Sequence, residues 1–258
     1  MPTFPFIRIR PDTLASLMAD LSAIPCSAPM ALEISTLDKS LGIQHLADSE
    51  RKTYDTFRFP KRRREWLAGR FCAKAALTDY IQKFHPLQRL PAPEDILICS
   101  HETGRPFFGT TTLPDEFPRA DLSISHSGQY GLALVCKTLC GVDIQIITPS
   151  LTKIKEKYCT RTEEGVLDQL RSPGDFSSLE ALGLLWVAKE GVRKMLSGHR
   201  LLGFLEMVLE TATPLDHGSW LFRLRVPAAL CPQTHVKVLT LFHLDYAIGF
   251  CIGEDFHA

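Results

Sequence analysis

Short apolar segments separated by turns of two or three residues constrain this chain more than any other feature. Leu122 and Ile124 alternate with Ser123 and Ser125, the period of a strand. Ser127-Gly128-Gln129 then reverses the chain, Tyr130–Cys136 returns, and Leu139–Ile147 follows with Gly141 near its start. Leu221–Val226, Val236–Leu244 and Tyr246–Cys251 read the same way near the C-terminus, and Ile96–Cys99 is a further short strand candidate before the turn at Glu102–Pro106. Connections this short join antiparallel strands, whereas parallel strands need crossovers of about a dozen residues or more. Two stretches carry helical periodicity instead. In 61–84, Trp66, Ala73, Leu77, Tyr80, Ile81 and Phe84 recur every three or four positions, and His85-Pro86 closes the run. In 179–196, Leu182, Leu185, Val192 and Leu196 line one side. The expected class is therefore α+β, with a small, mainly antiparallel sheet packed on a long helix in each half. The halves divide as residues 1–138 and 139–258.

Composition bounds the function. The chain has 258 residues, 45% of them apolar, which suffices for a real core and excludes a disordered or collagen-like chain. Lys plus Arg and Asp plus Glu both number 29, and this zero balance argues against a surface given over to nucleic acid or an anionic membrane. No apolar run is long enough to span a bilayer. Leu14, Leu17, Met18 and Leu21 follow Asp12 at helical spacing, which reads as an amphipathic helix rather than a signal peptide and implies a cytoplasmic protein. The eight cysteines are scattered with no CxxC pair and read as buried apolar residues in a reducing compartment. Spacing gives no support to a zinc site built from Cys99, His101, Cys231 and His235.

Four groups could carry chemistry. Arg58, Lys61, Arg62, Arg63, Arg64, Arg70 and Lys74 crowd the start of the first long helix. Arg63, Arg70 and Lys74 share a face at i, i+7 and i+11, a stripe suited to phosphate or simply to solvent. Asp121-Leu122-Ser123-Ile124-Ser125-His126-Ser127-Gly128 ends a strand in hydroxyls and an imidazole that can donate to an anion. In Gly141-Val142-Asp143-Ile144-Gln145, Asp143 and Gln145 point to one face and could hold a hard cation such as magnesium, or could lie on an exposed strand face. Trp186, Glu190 and Lys194 form one helical stripe flanked by Lys189. That arrangement is either an ordinary ion-pair row or a metal ligand or base set among phosphate-binding cations.

The order of these motifs resembles that of the 4′-phosphopantetheinyl transferase superfamily. The resemblance runs from Gly104-Arg105-Pro106 through the Ser123–Gly128 segment and Gly141-Val142-Asp143 to Trp186…Lys189-Glu190…Lys194, a (I/V)G(I/V)D strand followed by a WxxKExxxK helix. Tyr158–Glu163 is similar to that family's (F/Y)(S/T)xxE segment, and Arg64–Arg70 to its basic helix. The resemblance covers roughly residues 46–205, and the length resembles that of the single-chain class built from two similar halves.

The resemblance implies two subdomains related by a pseudo-two-fold with the active site in the cleft between them, in a monomer. It implies transfer of the phosphopantetheine arm of coenzyme A to a serine of an apo acyl or peptidyl carrier protein, with magnesium or manganese as the ion and 3′,5′-ADP as the leaving group. Asp143 and Glu190 would be metal ligands, with Gln145 contributing weakly or through water. Glu190 would also act as the base, and Lys189 and Lys194 would contact phosphates. Ser125 and His126 would meet the nucleotide's phosphates, Arg105 would lie near the adenine nucleotide, and Arg64, Arg70 and Lys74 would take the 3′-phosphate. Two residues depart from the pattern: Gln145 stands where many members carry Glu, and Gly191 where Ala or Ser is usual. Other readings are a catalytically silent coenzyme A or carrier binder, with Gln145 as a symptom of decay, and a nucleic-acid module using the 58–74 helix.

Overall fold

The structure, a computed structural model, describes residues 6–7, 24–37, 39–86, 90–109, 120–171, 177–198, 200–215, 218–231 and 234–253. The helix expected at 12–21 lies outside the described residues. The first sheet has the order β1-β2-β6-β5, from Phe6–Ile7, Met30–Glu33, Tyr130–Cys136 and Asp121–Ser127. β3 (Ile98–Ser100) and β4 (Pro106–Phe108) form a separate hairpin. The second sheet has the order β7-β11-β10-β9-β8, from Cys140–Ile146, Tyr246–Ile252, His235–His243, Ser219–Arg225 and Val208–Leu215. Every strand pairing is antiparallel, as the short connections require. The helices are α1 (Lys39–Gln44), α2 (Asp48–Thr56), α3 (Pro60–Phe84), α4 (Ser150–Lys153), α5 (Arg161–Arg171) and α6 (Ser178–Met195). The fold is α+β. No described helix is long and apolar enough to cross a membrane.

Local chemistry sets the bounds of both long helices. Pro60 occupies the first turn of α3, where its missing N–H costs nothing, and the helix ends at Phe84, ahead of His85-Pro86. Ser177 caps α6 by accepting the Glu180 N–H at 3.2 Å while the Glu180 carboxylate takes the Ser177 N–H at 2.8 Å.

Strand alternation sorts the core into layers. On β6, Ala133 and Val135 face α3 together with Leu122, Phe71 and Leu77. Tyr130, Leu132, Leu134 and Cys136 face the other way and meet Val142, Ile144, Ile248 and Phe250 of the second sheet. On the far side of that sheet, Ala247 and Cys251 join Leu184, Leu185 and Ala188 of α6. The layers run helix, sheet, sheet, helix.

Gly141 sets the spacing between β7 and α6. A Cβ built there would lie 1.9 Å from the Gly191 carbonyl oxygen, a backbone atom that cannot swing aside. A Cβ at Gly191 would meet nothing nearer than 3.7 Å. The strand glycine is therefore the one the packing requires, and Gly191 makes room for no neighbour. Gly141→Ala should destabilise by the upper end of the roughly 1–3 kcal/mol that overpacking costs. Gly191→Ala should gain up to about 1 kcal/mol from helix propensity. Urea denaturation of both variants checks this, and a neutral Gly141→Ala would contradict the packing.

Candidate functional site at the seam between the sheets

β5 and β7 are edge strands of different sheets, and they lie side by side without backbone pairing. An unpaired edge presents N–H groups that need acceptors. Alternate side chains of β5 supply them. Asp121 Oδ2 accepts the Cys140 N–H at 2.6 Å, Ser123 Oγ that of Val142 at 3.0 Å, Ser125 Oγ that of Ile144 at 3.3 Å and Ser127 Oγ that of Ile146 at 3.0 Å. The Asp-x-Ser-x-Ser-x-Ser pattern is thus a ladder of side-chain acceptors that joins the two sheets in one register.

Asp143 sits on the face of β7 opposite Val142 and Ile144, toward α6. Its Oδ1 accepts from Ser125 Oγ at 2.6 Å and from Lys194 Nζ at 2.7 Å, and Lys194 also reaches the Val142 carbonyl at 3.1 Å. Glu190, one turn before Lys194, is three-quarters buried or more at its side chain and contacts Arg193 at 3.3 Å. Burial first, and then the Asp143 charge, push the Glu190 carboxyl above the ordinary carboxylate range. Glu190 and Lys194 line a cleft of about 210 Å³ together with Gly104, Arg105, Pro106, Ser123, Ile124, Arg193 and Leu201.

Several residues expected at phosphates have other partners. Lys189 is fully buried, and its three donors go to Glu163 Oε1 at 2.6 Å, the Tyr158 carbonyl at 2.7 Å and the Phe204 carbonyl at 3.1 Å. Glu163 in turn accepts the N–H groups of Leu209 and Thr160, both at 2.8 Å. The Tyr158–Glu163 segment and the Lys of the WxxKExxxK helix are therefore two ends of one buried ion pair. Lys74 is likewise buried, with its ammonium on Glu50 at 2.6 Å, the His45 carbonyl at 2.7 Å and the Pro93 carbonyl at 2.8 Å. Arg70 lies over the Trp66 ring, 3.4 Å from the other Glu50 oxygen. The shared face of Arg70 and Lys74 exists, but it neutralises Glu50 of α2 and offers Lys74 no direction toward a ligand. Arg63 donates to the Phe57 and Asp55 carbonyls at 2.6 and 3.3 Å.

Arg105 is 7% exposed and pairs with Asp121. It donates to the carbonyls of Lys194 and, at 2.9 Å, Met195. It caps the C-terminal end of α6, so its guanidinium faces that helix end while its residue borders the cleft. Ser125, which accepts from Ile144 and donates to Asp143, is 5% exposed and committed to the seam. Strand alternation turns His126 to the opposite side of β5 from Ser125. His126 Nε2 lies 3.1 Å from Arg62 Nη1, and Nδ1 lies 4.0 Å from Glu65. Arginine only donates, so Nε2 accepts and the ring proton sits on Nδ1. Burial lowers the His126 pKa, which favours this neutral ring.

Arg58, Lys61, Arg62 and Arg64 are exposed at the start of α3. Gln145 shares the Asp143 face, and its amide nitrogen donates to the Ile146 carbonyl at 3.0 Å. Among the described residues, no group of three or more His, Cys, Asp or Glu side chains is arranged to hold a metal ion. The oxygen donors here are Asp143 and Glu190. Their mutual repulsion and the burial of Glu190 fit a hard cation between them.

No protein-family model matches the chain. A stretch of 94 residues is 27% identical to the holo-[acyl-carrier-protein] synthase of Petrotoga mobilis, covering 34% of this chain and 74% of that protein. Over that stretch the chain is similar to a holo-[acyl-carrier-protein] synthase. A solved holo-[acyl-carrier-protein] synthase from Thermotoga maritima is 23% identical, covers 47% of this chain and 68% of its own, and superposes with a TM-score of 0.37. The two motifs that meet at this seam, Gly141-Val142-Asp143 and Trp186–Lys194, carry both carboxylates and the lysine beside them.

Proposed function

We propose that the chain moves the 4′-phosphopantetheine arm of coenzyme A onto a serine of an apo carrier protein. The observation that carries this reading is that Glu190 and Lys194 line one cleft while Lys194 is also paired with Asp143 behind it. A desolvated carboxylate and an ammonium face the cleft, and an anchored carboxylate close enough to act on both lies beside them. The serine oxygen forms a bond to the pyrophosphate phosphorus nearest the pantetheine, the bridging P–O bond breaks, and 3′,5′-ADP leaves with the electron pair. Glu190, held above its usual pKa, is suited to take the serine proton or to orient a water that does. Asp143 and Glu190 would hold a divalent ion, magnesium or manganese, which when bound supplies counter-charge to the pyrophosphate. Lys194 is placed to exchange its Asp143 contact for a phosphate oxygen. Arg62, Arg64 and His126 offer donors for the outer phosphates, and Arg105 positions the helix end that carries Lys194. In this reading Lys189 and Lys74, each paired with a buried carboxylate, serve the scaffold.

Intact-mass measurement of several apo carriers after incubation with the protein, coenzyme A and magnesium tests the proposal. A gain of one phosphopantetheine is expected, and no gain on any carrier would refute it. With two carboxylates, one already paired to Lys194, and a neutral Gln145 alongside, the protein alone should bind magnesium weakly, and coenzyme A should strengthen that binding. Titration calorimetry with and without coenzyme A checks this. Tight binding to the protein alone would contradict the proposed ligand set.

A further inference from the structure

Cys26 and Cys136 face each other across an isolated antiparallel bridge ahead of the start of β2. The flanking hydrogen bonds fix its type. Ser27 donates to the Val135 carbonyl at 2.7 Å and Lys137 to the Pro25 carbonyl at 2.9 Å, so the cysteines occupy a non-hydrogen-bonded pair. In such pairs the Cα atoms lie about 4.5 Å apart and the side chains converge. That spacing is within the roughly 4.4–6.8 Å a disulfide spans. The Cys26 thiol donates to the Ile24 carbonyl at 3.0 Å, and all eight cysteines are free.

The thiols differ in access. Cys26 is half-buried, whereas Cys136 is fully buried at the end of β6. The Cys136 contact, with Lys83 as a smaller influence, lowers the Cys26 pKa, while burial raises that of Cys136. The segment carrying Cys26 is held independently, since the Ala28 N–H donates to Asp79 of α3 at 2.7 Å. An accessible thiol with a buried neighbour in bonding geometry is the arrangement of an attacking and a resolving cysteine.

We propose that Cys26 and Cys136 form a reversible disulfide by exchange with low-molecular-weight disulfides. The Cys26 thiolate attacks one sulfur of the small disulfide, whose S–S bond breaks and releases one small thiol. Cys136 then attacks the Cys26 sulfur and releases the second. The two cysteine protons end on the two released thiols, so the protein pair is oxidised and the small disulfide reduced. The bond pins the segment entering β2 to the strand whose end leads into β7.

The test treats the folded protein with oxidised glutathione, alkylates the remaining thiols under denaturing conditions, and maps the peptides. The expected product links the Cys26 peptide to the Cys136 peptide, is reversed by dithiothreitol, and is absent in Cys26→Ser. Reaction that stops at a glutathione adduct on Cys26, a bond between Cys136 and Cys140 instead, or eight thiols left unreacted would each overturn the proposal. The linked protein should also melt above the reduced one, because the bond closes the long loop 27–135 in the unfolded chain. An unchanged or lower midpoint would overturn the fit of the bond to the native backbone.

Discussion

Lys189→Ala should destabilise the protein by about 3–5 kcal/mol, the range observed when one partner of a buried ion pair is removed. Neither side chain of the pair reaches solvent, so the remaining Glu163 carboxylate has no water to replace the ammonium. The Tyr158 and Phe204 carbonyls lose a donor in the same step, and the Tyr158, Trp186 and Phe204 rings packed around them lose their support. Glu163→Ala should be comparably severe, because it strands the ammonium and the N–H groups of Leu209 and Thr160 together. Denaturation midpoints decide the matter. A Lys189→Ala protein that keeps its stability but loses coenzyme A affinity would return Lys189 to the phosphate role.

Glu190→Gln should separate activity from stability. Transfer should fall by roughly 10²–10⁴-fold, the usual worth of a positioned proton acceptor, with a further loss if metal affinity falls. The fold should gain. The Glu190 pKa is raised on folding, so the stability it contributes is fully present below the ordinary carboxylate range and is lost as pH rises through the raised value. Above that titration the ionised carboxylate opposes folding through its own burial and its repulsion from Asp143. The neutral amide removes both penalties. Melting of the wild-type protein without added metal should therefore improve as pH falls through the Glu190 titration, and Glu190→Gln should flatten that dependence and melt higher above it. Unimpaired transfer by Glu190→Gln would remove the proposed base, and a lower midpoint would contradict the buried, repelled carboxylate.

The elements legible in the sequence were those whose residues report their own surroundings. Tyr130–Cys136 is wholly buried and bounded by tight turns, so its apolar run reads directly as a strand. α3 and α6 announce themselves by period, and α3 also by the His85-Pro86 that ends it, whereas the Ser177–Glu180 cap of α6 emerged only from the structure. β8 escaped because Val208–Leu215 is a largely exposed edge strand with little alternation and a proline. α2 escaped because it buries only Glu50 and Tyr54, and an internal glutamate is not an apolar signal. β2 buries only Ala31 and Leu32.

The same distinction separates the parts of the candidate site. The sequence alone determined that Asp143 lies on one strand face, that Glu190 and Lys194 share one helical stripe, and that the two motifs follow in a family order. These are local facts of period and spacing. Only the tertiary structure decided which charges are available. Lys189, Lys74 and Arg105 are as cationic in sequence as Lys194. Their partners Glu163, Glu50 and Asp121 lie on other elements, and burial commits each of those pairs to the scaffold. Ser125 reads as an anion donor until β7 is laid beside it with unpaired N–H groups to satisfy. A charge buried with a partner must stay paired, and an exposed edge must find acceptors. Neither partner is written next to the residue it controls.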